Sequence, residues 1–334
     1  MGRLLVKILV LVALIWGAWW YIATGKLQSS LNAWLDDRRD EGWQAEVRGM
    51  NRAGFPLRIG AAVDGLTLDD PETQSSLLVP QVTLFTPIYW PGHATVRLPA
   101  EPVTLTTPQG ILTLTTDGAK AALRLNPGTS LQLEAMRGQA ANVKLDLVEG
   151  RLLSLENLTA SVQQTADPQI YDIDLIGSGF APGSMIREAL RLPIAWPDAF
   201  EALLADVTVS FDRPWDRSAL EDNRPQFRMI RIDRMEASWA DLRVSLTADL
   251  QVAEGGVPSG KLKVQAQNWQ RMLDLATASG ALSPQMRPQI ESGITLLSGL
   301  SGNSDTLDLD ITIEDGRMRM GFIPLGNAPR LILR

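Results

Sequence analysis

The sequence predicts a mainly β, α+β protein: a large antiparallel meander sheet with a few short helices, preceded by one N-terminal transmembrane helix. Three observations predict it. An apolar run with a single charge occupies Leu4 to Ala23. Downstream, apolar and polar residues alternate with period two in short runs. Between the runs stand Pro, Gly, Asn and Asp at a rhythm of roughly ten residues, which leaves no room for intervening helices and suits hairpins.

Leu4 to Ala23 has the roughly 20 residues that a helix needs to cross about 30 Å of hydrocarbon. Its one charge, Lys7, lies near an end, where it can snorkel. Arg3 and Lys7 precede the run and only Lys26 follows before Asp36 and Asp37, so the positive-inside rule puts the N-terminus in the cytoplasm and the bulk of the chain outside. Trp16, Trp19, Trp20 and Tyr21 gather at the far end, where amphipathic rings settle at the headgroup level and mark the outer interface. A cleaved signal peptide is the alternative, with Ala23-Thr24-Gly25 as the site. The bulky Trp-Trp-Tyr before it suits a signal peptidase poorly and favours a retained anchor.

Three segments are expected: an anchor over 1–25, a juxtamembrane amphipathic helix over 26–44, and an elongated β-rich domain over 45–334 with a sub-boundary near 177–205. Leu27, Leu31, Trp34 and Leu35 form the helical stripe, which Gly42 ends. Leu57, Ile59, Ala61 and Val63 then alternate, and Leu66 and Leu68 resume after Asp64-Gly65, which reads as strand, turn, strand. Further strands are expected at Gln81–Phe85, Val103–Thr107, Ile111–Thr115, Ala121–Leu125, Leu131–Ala135, Val143–Leu147, Leu152–Val162 and Ile170–Ile176. Ser184–Leu190 and Ala199–Leu204 read as two short helices among Gly and Pro breakers, and Val207–Phe211 and Phe227–Met235 return to strand.

The longest alternation is Leu242, Val244, Leu246, Ala248, Leu250 and Val252, with polar residues between, so one face of that strand is apolar and the other wet. Leu262–Ala266 follows. Asn268 then caps a helix over Trp269–Thr277, and Ser283 with Pro284 opens another towards Gly299. The chain closes with Leu307, Leu309, Ile311 and Ile313, a type I′ turn at Asp315-Gly316, and Met318, Met320 and Phe322 returning. Pro324–Arg334 reads as irregular.

Composition excludes several function classes. The 334 residues carry 31 basic and 38 acidic side chains, a net charge of -7, without the basic stripe that nucleic acid requires. There is no cysteine, hence no disulfide, thiolate nucleophile or Cys-containing zinc site. No phosphate loop or dinucleotide fingerprint occurs, so a nucleotide partner is not expected. The sole histidine, His93, follows Trp90-Pro91-Gly92 and reads as a loop residue without metal or triad companions. Asp172 with Asp174, and Asp308 with Asp310, stand two apart on strands, the pattern of a carboxylate pair but also of any solvated sheet face. No catalytic residue, metal or cofactor is expected. Trp34, Trp43, Trp90, Trp196, Trp215, Trp239 and Trp269 read as core residues, or as residues of a groove or its membrane-facing mouth.

Gly54-Phe55-Pro56-Leu57-Arg58, Thr86-Pro87-Ile88-Tyr89-Trp90-Pro91-Gly92-His93 and Asp315-Gly316-Arg317-Met318-Arg319-Met320-Gly321-Phe322-Ile323-Pro324-Leu325 together resemble an uncharacterised proteobacterial family, domain of unknown function 2125. Such proteins look similar to the wider AsmA-like group. That resemblance implies an inner-membrane-anchored periplasmic protein whose large curved antiparallel meander sheet forms a groove or half-barrel that carries lipid, although this chain is much shorter than the large bridges of that group. The residues themselves leave two architectures open. Many one-sided strands with few helices must cover their apolar faces either with one another or with a ligand. On the groove reading, Leu242, Val244, Leu246, Ala248, Leu250, Leu262, Val264, Leu307, Leu309, Ile311 and Ile313 line the apolar side and inner-membrane lipids are the partner. On the closed reading, the chain is a packed scaffold that recruits an envelope protein through an edge strand or the Gly177–Leu204 insertion.

Overall fold

In the computed structural model, which describes residues 2–333 except 90–91, 129, 190, 193–195, 222–223, 279, 281, 301–305 and 322, the anchor and the juxtamembrane stripe are one helix. α1 runs from Gly2 to Asp40, 39 residues, or about 58 Å at the usual helical rise. It is long and apolar enough to cross a membrane. Gly42 stops it as the sequence predicts. This residue takes φ +94°, its N–H reaches the Arg39 carbonyl and that of Trp43 the Arg38 carbonyl, the paired closure that a left-handed glycine permits.

The chain divides into two units, Met1–Arg124 with Leu145–Val148, and Leu125–Lys144 with Glu149–Arg334. The segment 177–205 falls inside the second. In the first unit, β1 (Gln44–Glu46) and β2 (Gly49–Ala53) pair in succession along β3 (Arg58–Asp70), which pairs with β4 (Ser75–Pro87). β5 (His93–Arg97) and β6 (Val103–Thr107) divide the far edge of β4 between them; β7 (Gly110–Thr115) pairs with β6 and β8 (Lys120–Leu125) with β5. Helix α1 lies along β3. Trp20 Nε1 donates to the Arg58 carbonyl, Gln28 Nε2 to that of Met50, opposite Val63, and Arg39 Nε to that of Ala45, opposite Leu68.

The turn expected at Asp64-Gly65 is absent, because β3 runs straight through it in unbroken register with β4. Gly65 instead takes φ +61°, and the apolar residues change parity across it: Ala61 and Val63 before, Leu66 and Leu68 after. Val63 and Leu66 nonetheless line the same cleft, so the left-handed glycine keeps both on one face. A Cβ here would stand 2.0 Å from Arg48 Nε. Gly65→Ala is expected to destabilise the protein by about 1–3 kcal/mol, read as a lower thermal midpoint.

The second unit contains all but the last three residues of β9 (Leu133–Leu147), with β10 (Gly150–Gln164), β11 (Ile170–Ser178), β12 (Ala181–Pro182), α2 (Ser184–Ala189), β13 (Ala202–Phe211), α3 (Ser218–Glu221), β14 (Phe227–Trp239), β15 (Leu242–Val252), β16 (Pro258–Gln267), α4 (Trp269–Ala278), α5 (Arg287–Leu300), β17 (Thr306–Glu314), β18 (Arg317–Met320) and β19 (Ile323–Asn327). From β10 through β11, β13, β14, β15, β16, β17 and β18 to β19, each strand pairs antiparallel with the next. This is the expected meander, mostly antiparallel β with few short helices.

Four expectations need correction. Leu131–Ala135 and Val143–Leu147 belong to one strand, β9, which begins at Leu133. The helix expected over Ala199–Leu204 is the start of β13, since Ala202, Leu203 and Leu204 pair with Ser238, Ala237 and Glu236; six apolar-rich residues carry no decisive period, and a waiting strand edge decides for them. Asn268 takes φ +57° and turns its amide onto the Asp241 carbonyl rather than onto the α4 terminus. The tail is not irregular throughout, because Ile323 and Pro324 pair with Met320 and Arg319 in β19. In addition, α5 starts at Arg287, after a Ser283–Met286 turn. Asp315 and Gly316, at φ +48° and +77°, do form the two-residue turn that a type I′ hairpin needs. Trp90, Pro91, Leu190 and Phe322 lie outside the described residues.

Candidate functional site

The meander brings the expected apolar residues into cross-strand rows. Val244 stands opposite Ala266 and Ala266 opposite Leu307; Leu246, Val264 and Leu309 follow, then Ala248, Leu262 and Ile311, then Leu250, Gly260 and Ile313. Since residues two apart share a face, all of these belong to one side of the sheet, with Leu242 at its margin. Sequence reasoning stopped at three strands, and the register carries the face across four more. The Leu246 row continues through Met235, Ala205, Leu175 and Ala160, and the Ala248 row through Ile232, Val207, Ile173 and Val162.

A bulge makes this possible. In β14, Ile232 pairs with Ala248 but Met235 with Leu246, so Asp233-Arg234 adds one residue on that strand. Without it, Met235 and Ala237 would turn to the opposite face from Ile230 and Ile232. The visible signal is the change of parity in Phe227–Trp239, Ile-x-Ile followed by Met-x-Ala after two charged residues.

Both ends of this apolar face are covered. At one end Ala266 and Leu307 are buried with Trp269 and Leu273 of α4 and with Leu282. There too Trp239 stacks on Phe200 at 4.6 Å, meets Trp196 edge-on at 4.8 Å and donates its indole N–H to the Pro197 carbonyl. At the other end Tyr171, Val209 and Phe211 are buried, with Phe227 and Trp215 against Phe211 at 5.3 and 5.6 Å. The Trp215 backbone N–H and Gln164 Nε2 both donate to the Tyr171 hydroxyl oxygen. Burial pushes that phenol above its ordinary pKa.

Between the two covered ends the Leu246 row is only partly covered among the described residues, and its Leu309 packs against the Trp269 cluster. Leu246, Val264, Leu309, Leu175, Ala205 and Ala160 are half-buried and Met235 is 39% exposed. The row crosses seven strands, about 29 Å at the usual strand spacing. That is close to a bilayer's hydrocarbon thickness and exceeds the length of one leaflet's chains.

The opposite face is polar. Arg231, Asp249, Lys261 and Thr312 form one row, and Thr247, Lys263 and Asp310 another, around a depression of 650 Å³. The paired carboxylates of the sequence lie on this side, tied to neighbours: Thr208 donates to Asp172, Ser161 to Asp174 and Gln265 to Asp308. His93 is not a loop residue but opens β5 opposite Arg124. Among the described residues, no group of three or more His, Asp or Glu side chains could hold a metal ion.

Two features of the first unit were not anticipated. Leu31, Trp34 and Leu35 of α1 and Met50, Val63, Leu66, Val82, Leu84 and Val96 of the sheet bound a wholly apolar cleft of 170 Å³. The stripe Leu27–Leu35 signalled an apolar helix face without saying what it met. The interface aromatics also have partners: Trp16 Nε1 donates to the Pro56 carbonyl at 3.0 Å and Trp20 Nε1 to that of Arg58 at 2.7 Å. Trp19 and Tyr21 stay exposed.

A family model described as "Uncharacterized protein conserved in bacteria (DUF2125)" matches residues 19–329, nearly the whole chain. No curated protein matches it.

Proposed function

The chain belongs to this uncharacterised bacterial family, DUF2125, and from that premise we propose a non-enzymatic protein of the bacterial inner membrane that binds or shields lipid acyl chains on the apolar face of its second unit. Its N-terminus lies in the cytoplasm and its bulk in the periplasm, an orientation supported by Arg3 and Lys7 ahead of the span. One observation carries the reading: a continuous apolar row that crosses seven strands between two aromatic-lined clusters, half-buried along most of its length and exposed at Met235, on a sheet whose reverse face is charged. In water such a strip is a liability; an acyl chain laid along it gains about 0.8 kcal/mol per buried methylene.

Residues 26–334, purified without detergent and sprayed in native mass spectrometry, are expected to retain phospholipid. A compact, cooperatively folding protein without lipid favours a scaffold that recruits an envelope protein.

A further inference from the structure

The loops joining β2 to β3 and β4 to β5 carry large apolar side chains that are mostly exposed. Phe55 is 61% exposed, Leu57 67% and Tyr89 79%. The two loops are neighbours, since the Ile88 N–H donates to the Leu57 carbonyl. They are also fastened to α1 inside its apolar run, through the Trp16 and Trp20 indoles on the Pro56 and Arg58 carbonyls, and Phe55 packs edge-on against Trp20 at 5.2 Å. Trp16 lies seven residues before Ala23, about 10 Å deeper than the end of that run at the helical rise.

We propose that Phe55, Leu57 and Tyr89 insert into the leaflet adjoining the folded part of the chain, beside the span, as a second membrane-contact surface. The order of chemistry along α1 fits a bilayer. Deepest are Pro56 at Trp16 and Phe55 at Trp20; next comes the Arg52 guanidinium, 3.9 Å above the Tyr21 ring and beside Gly25, where headgroup phosphates attract a cation. Arg58 follows the apolar tip and is itself exposed. The occupant is lipid rather than protein because the patch is continuous with a helix face that only hydrocarbon can cover. The reading is independent of the acyl-chain groove, which lies in the other unit.

The chain has no native cysteine, so Phe55→Cys and Tyr89→Cys each accept a single environment-sensitive fluorophore in the full-length protein reconstituted into phosphatidylcholine–phosphatidylglycerol vesicles. Thr73→Cys, in the turn at the far end of the β3–β4 hairpin, is the control, about 40 Å along the strand from Arg58. The expected result is blue-shifted emission at 55 and 89, lost to lipid-borne spin labels and protected from aqueous iodide, with the reverse at 73. Iodide quenching at 55 and 89 would overturn the proposal. Shielding from both quenchers would also overturn it, placing the loops against a second copy of the chain.

Discussion

The double variant Leu246→Asp with Ile311→Asp is expected to lose bound lipid while keeping its fold. The two residues stand in adjacent rows on strands separated by β16, so together they interrupt the apolar face between its two clusters. Each substitution replaces an apolar contact of about 1.5–3 kcal/mol with a carboxylate that hydrocarbon cannot solvate. The combined loss of at least about 3 kcal/mol corresponds to more than about a hundredfold in affinity. Both positions are half-buried, so a carboxylate there can reach water and the strand ladders survive. Native mass spectrometry of 26–334 reads the lipid and circular dichroism the fold. Undiminished lipid in a folded double variant would remove the groove from the account.

Trp269→Ala is expected to have the largest effect on stability. Trp269 is 2% exposed and opens α4 within a cluster formed with Leu273, Leu282, Ala266 and Leu307. Truncating so large a buried side chain costs about 3–5 kcal/mol through lost burial and the cavity left behind. The cluster is also what closes one end of the apolar face, because α4 and α5 connect β16 to β17 there. A lowered thermal midpoint is therefore expected together with looser lipid retention. A normal midpoint would mean that α4 does not hold this end of the sheet. Trp34, at 44% exposure, is the comparison that should cost far less.

How much of this was legible in the sequence depended on where the deciding force lay. Period-two alternation gave β15 residue for residue, Leu242 to Val252, because a sheet with one wet face writes its burial into every second side chain. The Asp315-Gly316 hairpin was equally readable, since two successive left-handed residues suit few dipeptides. The Asp64-Gly65 dipeptide looked the same and behaved differently: β4 was already in register on both sides of it, and Gly65 spent its freedom on keeping one face apolar. Ala199–Leu204 failed for the reason that short apolar segments generally do, with pairing to β14 outweighing local preference.

The candidate face was legible strand by strand but not in extent. Leu242 to Ile313 identified three strands. Its continuation through Met235, Ala205 and Leu175 required the register, and the bulge at Asp233-Arg234 hid that continuity behind a change of parity. The fastening of Trp16 and Trp20 to the Phe55-Pro56-Leu57 loop left no local pattern at all, since those partners are 40 and 38 residues apart.

The most direct measurement of the central claim is photo-crosslinking in living cells, with a benzophenone side chain placed at Leu246 on the apolar face or at the adjacent Thr247 on the charged one, in the otherwise unaltered full-length chain. Phospholipid covalently attached at 246 and absent at 247 is the predicted result. Equal labelling at both positions, or at neither, would contradict a lipid-binding face.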